Sequence, residues 1–259
     1  MSSSSSQMAR PGAGSSFLNA FWNLASNEAP ERKKACLLIM EHLMSMEEQG
    51  KEKGLSTDGE YALKRLIRGL TSSRQSARQG FATCLSEMMY TIDGVPVHEA
   101  MTLLGTTTKI TGSHRGAEER DLLFGRLFGY IAFIRSGRLS TFELRKAVLE
   151  GLLDLHGRKD WMREVAMEAI LDLLDTYSPK ELLDAGLPAV KALFPDSLED
   201  TTPTQVMFCA GMEQYSKQHE EVSEAIQAYQ PSKKVISSKV LQGPLQNVLV
   251  KASQGFPKI

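Results

Sequence analysis

Residues 61–78 read YALKRLIRGLTSSRQSAR and predict the end of one amphipathic helix, a tight turn and the start of a second helix. Apolar residues recur at helical spacing on one side of the first helix; they are Ala62, Leu63, Leu66, Ile67 and Leu70. Gly69 lies close to the end of this helix, and the run TSS at 71–73 offers N-cap residues for the next one. Both helices would have to bury an apolar face against a neighbour.

The same stretch is strongly basic, with no acidic residue between positions 64 and 78. Its cations are Lys64, Arg65, Arg68, Arg74 and Arg78. The first three lie opposite the apolar face of the first predicted helix, and the last two lie four residues apart on the second. Because phosphate contact requires only correctly placed cations, we predict these five as candidate nucleic-acid-binding residues.

Two other interpretations of these cations remain open. Arg74 and Arg78 project near the apolar side of their helix, where an Arg of a HEAT-type repeat ties one helix pair to the next. Its head would then pair with a carboxylate or with a helix C-terminus. For Lys64, Arg65 and Arg68 the alternative is an ordinary solvated helix face.

Helix pairs are predicted to begin near Glu60, Val97, Phe142 and Pro179. Their spacing of about 40 residues is typical of HEAT and armadillo repeats. No segment alternates apolar and polar residues over a useful length, so no strand is predicted. Since one pair cannot bury its apolar face alone, the pairs would share a core. The predicted fold is therefore all-α, a HEAT/armadillo-like α-solenoid of stacked antiparallel helix pairs.

The predicted solenoid spans residues 17–230. Residues 1–16 show no apolar periodicity and predict a disordered tail, and residues 231–259 predict a loosely held one. Residues 118–135 are apolar nearly all round, which predicts a helix covered on several sides. Gly125 and Gly129 in that helix should admit a close neighbour. Further helices are predicted at residues 31–48, 161–174 and 179–194, and one helix from about 204 to 229.

A net charge of −1 over 259 residues means that attraction to nucleic acid must come from a local patch. No apolar run approaches the length of a membrane span. The three cysteines, Cys36, Cys84 and Cys209, predict buried thiols in a reducing compartment. The methionines of the helix predicted at residues 31–48, at positions 40, 44 and 46, are interpreted as packing residues.

The sequence contains no signature of an enzyme or of a metal site. There is no phosphate loop, no dinucleotide-binding glycine motif after a strand, and no His or Cys pair with zinc spacing. No set of carboxylates stands out that would converge on two metal ions, as a polymerase requires. We therefore predict a protein without enzymatic activity, with no cofactor, no metal, no small-molecule substrate and no membrane contact.

Several segments resemble, in order and spacing, the DNA polymerase phi family. Besides residues 61–78 they are FLNAFWNLA at 17–25, ERKKACLLIMEHL at 31–43, ERDLLFGRLFGYIAFIRSGRL at 119–139 and WMREVAMEAILDLL at 161–174. The resemblance covers roughly residues 17–220. It implies an α-solenoid of the nucleus and nucleolus that binds ribosomal DNA and transcription or ribosome-assembly proteins. Its role would lie in ribosomal RNA gene transcription and ribosome biogenesis, without polymerase activity.

Members of that family are much longer, so the chain is interpreted either as the N-terminal part of a longer solenoid or as a truncated product. A different class of function is also open. The alternative is a cytoplasmic HEAT-like adaptor that binds a helix of a partner protein in its concave groove.

Overall fold

The computed structural model describes residues 13–49, 54–196 and 201–229, and within these ranges the chain forms helices and no strand. The predicted all-α class is thereby confirmed. The chain divides into two compact units, residues 1–140 and residues 141–259. No helix in the described ranges has both the length and the apolar character needed to span a bilayer.

The described residues of the first unit form six helices: α1 (Ala13–Asn23), α2 (Ala29–Gln49), α3 (Thr57–Gly69), α4 (Gln75–Thr91), α5 (Val97–Thr107) and α6 (Ala117–Arg135). Each odd-numbered helix packs against the helix that follows it. In one layer α2 contacts α4 and α4 contacts α6, while α3 contacts α5 in a second layer. The apolar face predicted for α3 is buried between these layers, as its spacing requires.

The turn between α3 and α4 differs from the prediction. Two backbone hydrogen bonds that each span three residues continue past the end of α3, from the N–H of Thr71 to the carbonyl of Arg68 and from the N–H of Ser72 to that of Gly69. Their donors, Thr71 and Ser72, belong to the segment predicted to cap the next helix. Helix α4 therefore begins one residue later, with Arg74 at its N-cap and no side-chain cap. The predicted cap at residues 71–73 is wrong.

Helix α6 is covered on several sides, as predicted, and none of its residues from 121 to 134 is exposed. Its two glycines face different neighbours. A Cβ atom at Gly125 would lie 3.1 Å from the carbonyl oxygen of Leu70, and one at Gly129 would lie 2.5 Å from a methyl carbon of Leu104. The close approach expected at both glycines is confirmed, with backbone of Leu70 next to Gly125 and the side chain of Leu104 next to Gly129.

The second unit begins with α7 (Phe142–Arg158) and α8 (Asp160–Leu174), which pack along each other. The helix predicted near residues 179–194 is composite. It consists of α9 (Pro179–Glu181), a π-helical segment (Leu182–Gly186), α10 (Leu187–Val190) and a 3-10 turn (Lys191–Leu193). Pro188 has no N–H to donate to the preceding turn, which accounts for the altered hydrogen bonding before it.

The single helix predicted for residues 204–229 is interrupted. Helix α11 (Pro203–Gln218) ends at His219, a 3-10 turn follows (Glu220–Val222), and the chain continues as α12 (Ser223–Tyr229). Helix α11 packs against both α8 and α12. The break lets Val222 and Ile226 turn into the core.

The predicted boundaries of the folded region stay predictions. Helix α1 already begins at Ala13, ahead of the predicted start at Phe17. Residues 1–12 of the predicted N-terminal tail and residues 231–259 of the predicted C-terminal tail lie outside the described ranges.

Candidate functional site

Arg78 is the one member of the basic stretch whose side chain is buried. Only 9% of it is exposed. Its Nη1 donates to the carbonyl of Ser72 at 2.6 Å and lies 3.7 Å from Oδ1 of Asp121 on α6. Its guanidinium also lies 4.7 Å from the ring centroid of Phe124. Arg78 therefore joins the α3–α4 turn to α6, as the alternative interpretation proposed, and it does not offer a cation to a phosphate.

Three other cations of the stretch are exposed. Lys64 and Arg68 lie one turn apart on α3, and Arg74 is exposed at the N-cap of α4. Lys64 pairs with Glu60 at 3.2 Å, a solvated contact between neighbouring turns of one helix. Among the described residues neither Arg68 nor Arg74 has a carboxylate partner. The structural role proposed for Arg74 as a tie between helix pairs is not supported by its contacts.

Arg65 differs from both groups because its guanidinium stacks on aromatic rings. It lies 5.4 Å from the ring centroid of Trp22 and 5.6 Å from that of Phe21 on α1. Its Nε is buried without a hydrogen-bond partner in the described part of the chain. Tyr61, one turn before Arg65 on α3, meets Phe21 edge to face at 5.8 Å.

These residues make up one surface of the first unit, which we call the α1–α3 face: Trp22, Tyr61, Lys64, Arg65 and Arg68. Its two aromatic side chains are 72% exposed at Trp22 and 41% exposed at Tyr61. Sequence reasoning found the cations and missed Trp22. The signal was available, because the buried residues of α1 at positions 17, 20, 21 and 24 follow helical spacing and leave position 22 outside it.

A second surface is a groove on the layer formed by α2, α4 and α6, which we call the α2–α4–α6 groove. It consists of a cavity of about 810 Å³ between α2 and α4 and one of about 460 Å³ next to α6. Gln79, Thr83, Glu87 and Arg135 line both cavities. The two cavities are therefore adjacent parts of one depression.

The α2 side of this groove is apolar. Leu37, Met40 and Met44 line it at helical spacing. Met40 is buried, as expected of a packing residue, but Met44 is 43% exposed. The prediction that Met44 serves core packing is wrong, because no helix of the described residues covers that side of α2.

The charges around the groove are mostly positive. Lys33 and Arg135 are exposed at its edge and have no carboxylate partner among the described residues. Arg32 instead closes the turn between α1 and α2, where its Nη1 donates to the carbonyls of Ser26 and Asn27 at 2.9 and 2.8 Å. Glu87 is the acidic residue of the described lining.

Two cysteines meet next to this groove. All three cysteines are buried in the reduced form, as predicted. The thiols of Cys36 on α2 and Cys84 on α4 are hydrogen-bonded, which lowers the pKa of Cys36 and raises the pKa of Cys84. Cys36 lines the groove. In the described ranges no group of His, Cys, Asp and Glu side chains is arranged to hold a metal ion.

The model of the family described as DNA polymerase phi matches residues 61–253. A relative from Schizosaccharomyces pombe, rDNA transcriptional regulator pol5, is 33% identical over 162 residues, covering 61% of this chain and 16% of that protein. The rDNA transcriptional regulator POL5 of Saccharomyces cerevisiae is 29% identical over 199 residues, covering 63% and 19%. Myb-binding protein 1A of Homo sapiens is 31% identical over 164 residues, covering 62% and 12%.

The chain spans less than a fifth of the length of each of these relatives. They are named as regulators or as Myb-binding proteins, and the word polymerase occurs in the description of the family. No solved structure matches the chain. Since the family model matches well over half of the sequence, the predicted resemblance is confirmed, and this chain belongs to the DNA polymerase phi family.

Proposed function

We propose that this chain is part of a non-enzymatic nucleolar scaffold that acts in ribosomal RNA gene transcription and ribosome biogenesis. The observation that carries the proposal is its similarity to proteins named as regulators of ribosomal DNA transcription. Its partners would be ribosomal DNA and proteins of transcription or ribosome assembly.

The helix pairs are proposed to stack in the manner of a HEAT/armadillo-like α-solenoid. The packing within the first unit supports this, because α2, α4 and α6 follow one another in one layer while α3 and α5 are neighbours in the other. Side-by-side pairs bury a continuous core and leave long surfaces for partners. Such a role requires surfaces and no catalytic group.

The exposed cations Lys64, Arg68 and Arg74 are the proposed DNA contacts, with Arg65 beside them. Arg78 is left out because its guanidinium is buried against Asp121 and Phe124. Contacts of this kind position a protein on the phosphate backbone without reading sequence. Each phosphate neutralised releases counterions, so binding should weaken as salt rises.

A salt titration of the full chain on random-sequence duplex DNA tests the contact. The double variant Lys64→Ala with Arg68→Ala should make the negative slope of log affinity against log salt shallower by about 2. Each lost phosphate contact reduces the size of the slope by about 0.9. The matched control is Lys180→Ala with Lys191→Ala, two exposed cations of the second unit. An equally large change of slope in the control, or the absence of DNA binding at low salt, would contradict the proposed DNA contact.

The location can be tested separately by imaging a fluorescently tagged chain in cells. The proposal expects the tag to concentrate in the nucleolus. A tag confined to the cytoplasm would reject it and favour the second candidate function.

That second candidate is an adaptor that binds a helix of a partner protein, and the α2–α4–α6 groove favours it. Exposed Leu37 and Met44 would contact the apolar side of a helix, and Lys33 and Arg135 would select acidic flanks. An amphipathic peptide with acidic flanks should bind more tightly than one with the same apolar residues and basic flanks. Met44→Lys should weaken that binding and leave DNA binding unchanged; equal binding of both peptides would reject the candidate.

A further inference from the structure

We propose that Trp22, Tyr61 and Arg65 form a platform on which unpaired bases of single-stranded nucleic acid stack. The inference rests on the proposed nucleic-acid contact and specifies its ligand: a strand, of RNA or of DNA, whose bases are open. Three observations on the α1–α3 face carry it.

The first observation is the exposure of Trp22. The neighbouring residues Phe21 and Leu24 are buried, so α1 has an apolar core face that does not include position 22. Yet this position holds a tryptophan that is 72% exposed. A large aromatic ring beside a packed face, directed to solvent, is typical of a contact surface because its apolar area is left for a partner to cover.

The second observation is that the ring is held in place from one side. The guanidinium of Arg65 lies 5.4 Å from the centroid of the Trp22 ring and 5.6 Å from that of Phe21. A cation over the face of an indole is attracted by its π electrons. Since most of Trp22 stays exposed, the guanidinium covers one face at most and leaves the other open for a flat group.

The third observation is that Tyr61 shares one face of α3 with three cations. Tyr61, exposed and fixed by its edge-to-face contact with Phe21, lies one helical turn from Lys64 and Arg65, and Arg68 lies one turn further. A single strand presents bases and phosphates side by side. Proteins that bind such strands combine aromatic stacking with a positive surface along the backbone.

The same arrangement disfavours a duplex as the ligand of the two rings. In a duplex the base faces are stacked on one another and cannot reach Trp22, whereas the phosphates remain accessible to Lys64 and Arg68. The rings should therefore distinguish single strands from duplexes, and the cations should contribute to both.

The experiment measures the affinity of the full chain for labelled twelve-residue oligo(U) RNA, twelve-residue oligo(dT) DNA and a duplex DNA of the same length, by fluorescence anisotropy at low salt. Trp22→Ala should weaken binding of the single strands about tenfold, the size expected for one lost stacking contact. Duplex affinity should change less than twofold. Trp22→Phe keeps an aromatic face and should retain most of the affinity.

The matched control is Trp161→Phe, which alters the second of the two tryptophans, itself 45% exposed on α8 of the other unit. Its affinity for single strands should equal that of the unaltered chain. In this variant Trp22 is the one remaining tryptophan, so its fluorescence should be quenched as oligonucleotide is added. If the fluorescence of Trp161→Phe is quenched by oligonucleotide, the quenched residue is Trp22, which lies in the platform.

The measurements distinguish failure of the stacking platform from failure of the proposed DNA contact. Tighter binding of oligo(U) than of oligo(dT) would identify RNA as the ligand, and equal binding would support single strands in general. If Trp22→Ala leaves single-strand affinity unchanged while Lys64→Ala with Arg68→Ala weakens the duplex, the platform is rejected and the DNA contact stands. If no nucleic acid binds at low salt, both fail.

Discussion

Arg78 on α4 and Asp121 on α6 form an ion pair within the first unit, with Nη1 3.7 Å from Oδ1. The pair lies at the C-terminal end of α3, where the same Nη1 also binds the carbonyl of Ser72. A cation that belongs to a basic stretch in the sequence thus serves to hold three segments together. Burial lowers the pKa of Arg78, and the neighbouring carboxylate of Asp121 opposes that shift.

Arg78→Ala should destabilise the chain by about 2–3 kcal/mol, because it leaves the largely buried Asp121 carboxylate and the Ser72 carbonyl without this partner. The free energy of unfolding from urea denaturation measures the effect. Arg74→Ala, a change at an exposed side chain, should stay within about 0.5 kcal/mol of the unaltered chain. Equal effects for the two variants would contradict the structural role of Arg78.

Gly80→Ala should be strongly destabilising, because a Cβ at this position would lie 2.0 Å from the carbonyl oxygen of Leu24. Backbone cannot move aside as a flexible side chain can, so α4 would have to shift away from the end of α1. Gly105→Ala is the control: it lies in α5 with nothing within 4 Å of the added atom and should stabilise the helix by about 0.5–1 kcal/mol. The midpoint temperature of thermal unfolding of each variant measures the effect. An unchanged midpoint for Gly80→Ala would contradict the close contact between Gly80 and Leu24.

Cys36 should be the most reactive of the three thiols toward iodoacetamide at about pH 8, because reactivity follows the thiolate fraction. The hydrogen bond from Cys84 lowers the pKa of Cys36, whereas burial raises the pKa of Cys209 to about 11. Mass spectrometry of the native chain after brief alkylation identifies the first site. In Cys84→Ala the reaction of Cys36 should slow at the same pH. Alkylation of Cys209 before Cys36 would contradict this prediction.

Glu181 should contribute stability that is lost at acidic pH. The backbone N–H of Ser178 donates to its carboxylate and lowers its pKa below the ordinary 4.5, with a further contribution from the Arg145 ion pair. Since the folded-state pKa is the lower one, this stability is present above the unfolded pKa and is lost as pH falls through the folded pKa.

The test compares the unaltered chain with Glu181→Gln, which can still complete the capping box with Ser178. At pH 7 the variant should be the less stable. The difference in free energy of unfolding should shrink as pH falls from about 5 to about 3, where the carboxylate becomes protonated. A difference that stays constant over this range would contradict the assigned interaction.

Helix positions followed from local patterns in most of the chain. The predicted helices near residues 31–48, 118–135 and 161–174 correspond closely to α2, α6 and α8, because each is a long, uninterrupted segment rich in apolar residues at helical spacing. The patterns failed where hydrogen bonding changes within a helical stretch. The π segment at residues 182–186 and the break at His219 depend on how the turns pack, and apolar spacing carries no signal for them.

The candidate site was predictable in part. Spacing placed Lys64 and Arg68 on the outer side of α3, and both are exposed. The spacing could not distinguish Arg74 from Arg78, which lie one turn apart. In the structure Arg74 is exposed and Arg78 is buried. The difference arises because α6 packs against α4 and brings Asp121 and Phe124 to Arg78 alone.

The sequence by itself determined the all-helical class and the family, since helix formation follows the spacing of apolar residues along one short segment and family membership follows the order of such segments. Only the tertiary structure decided that Cys36 meets Cys84, that Arg65 of α3 lies over the ring of Trp22 of α1, and that Met44 lines a groove. The physical reason is that burial depends on which helices stack on one another. That stacking brings together residues that are far apart in the chain. The spacing of apolar residues within one helix does not show which other helices pack against it.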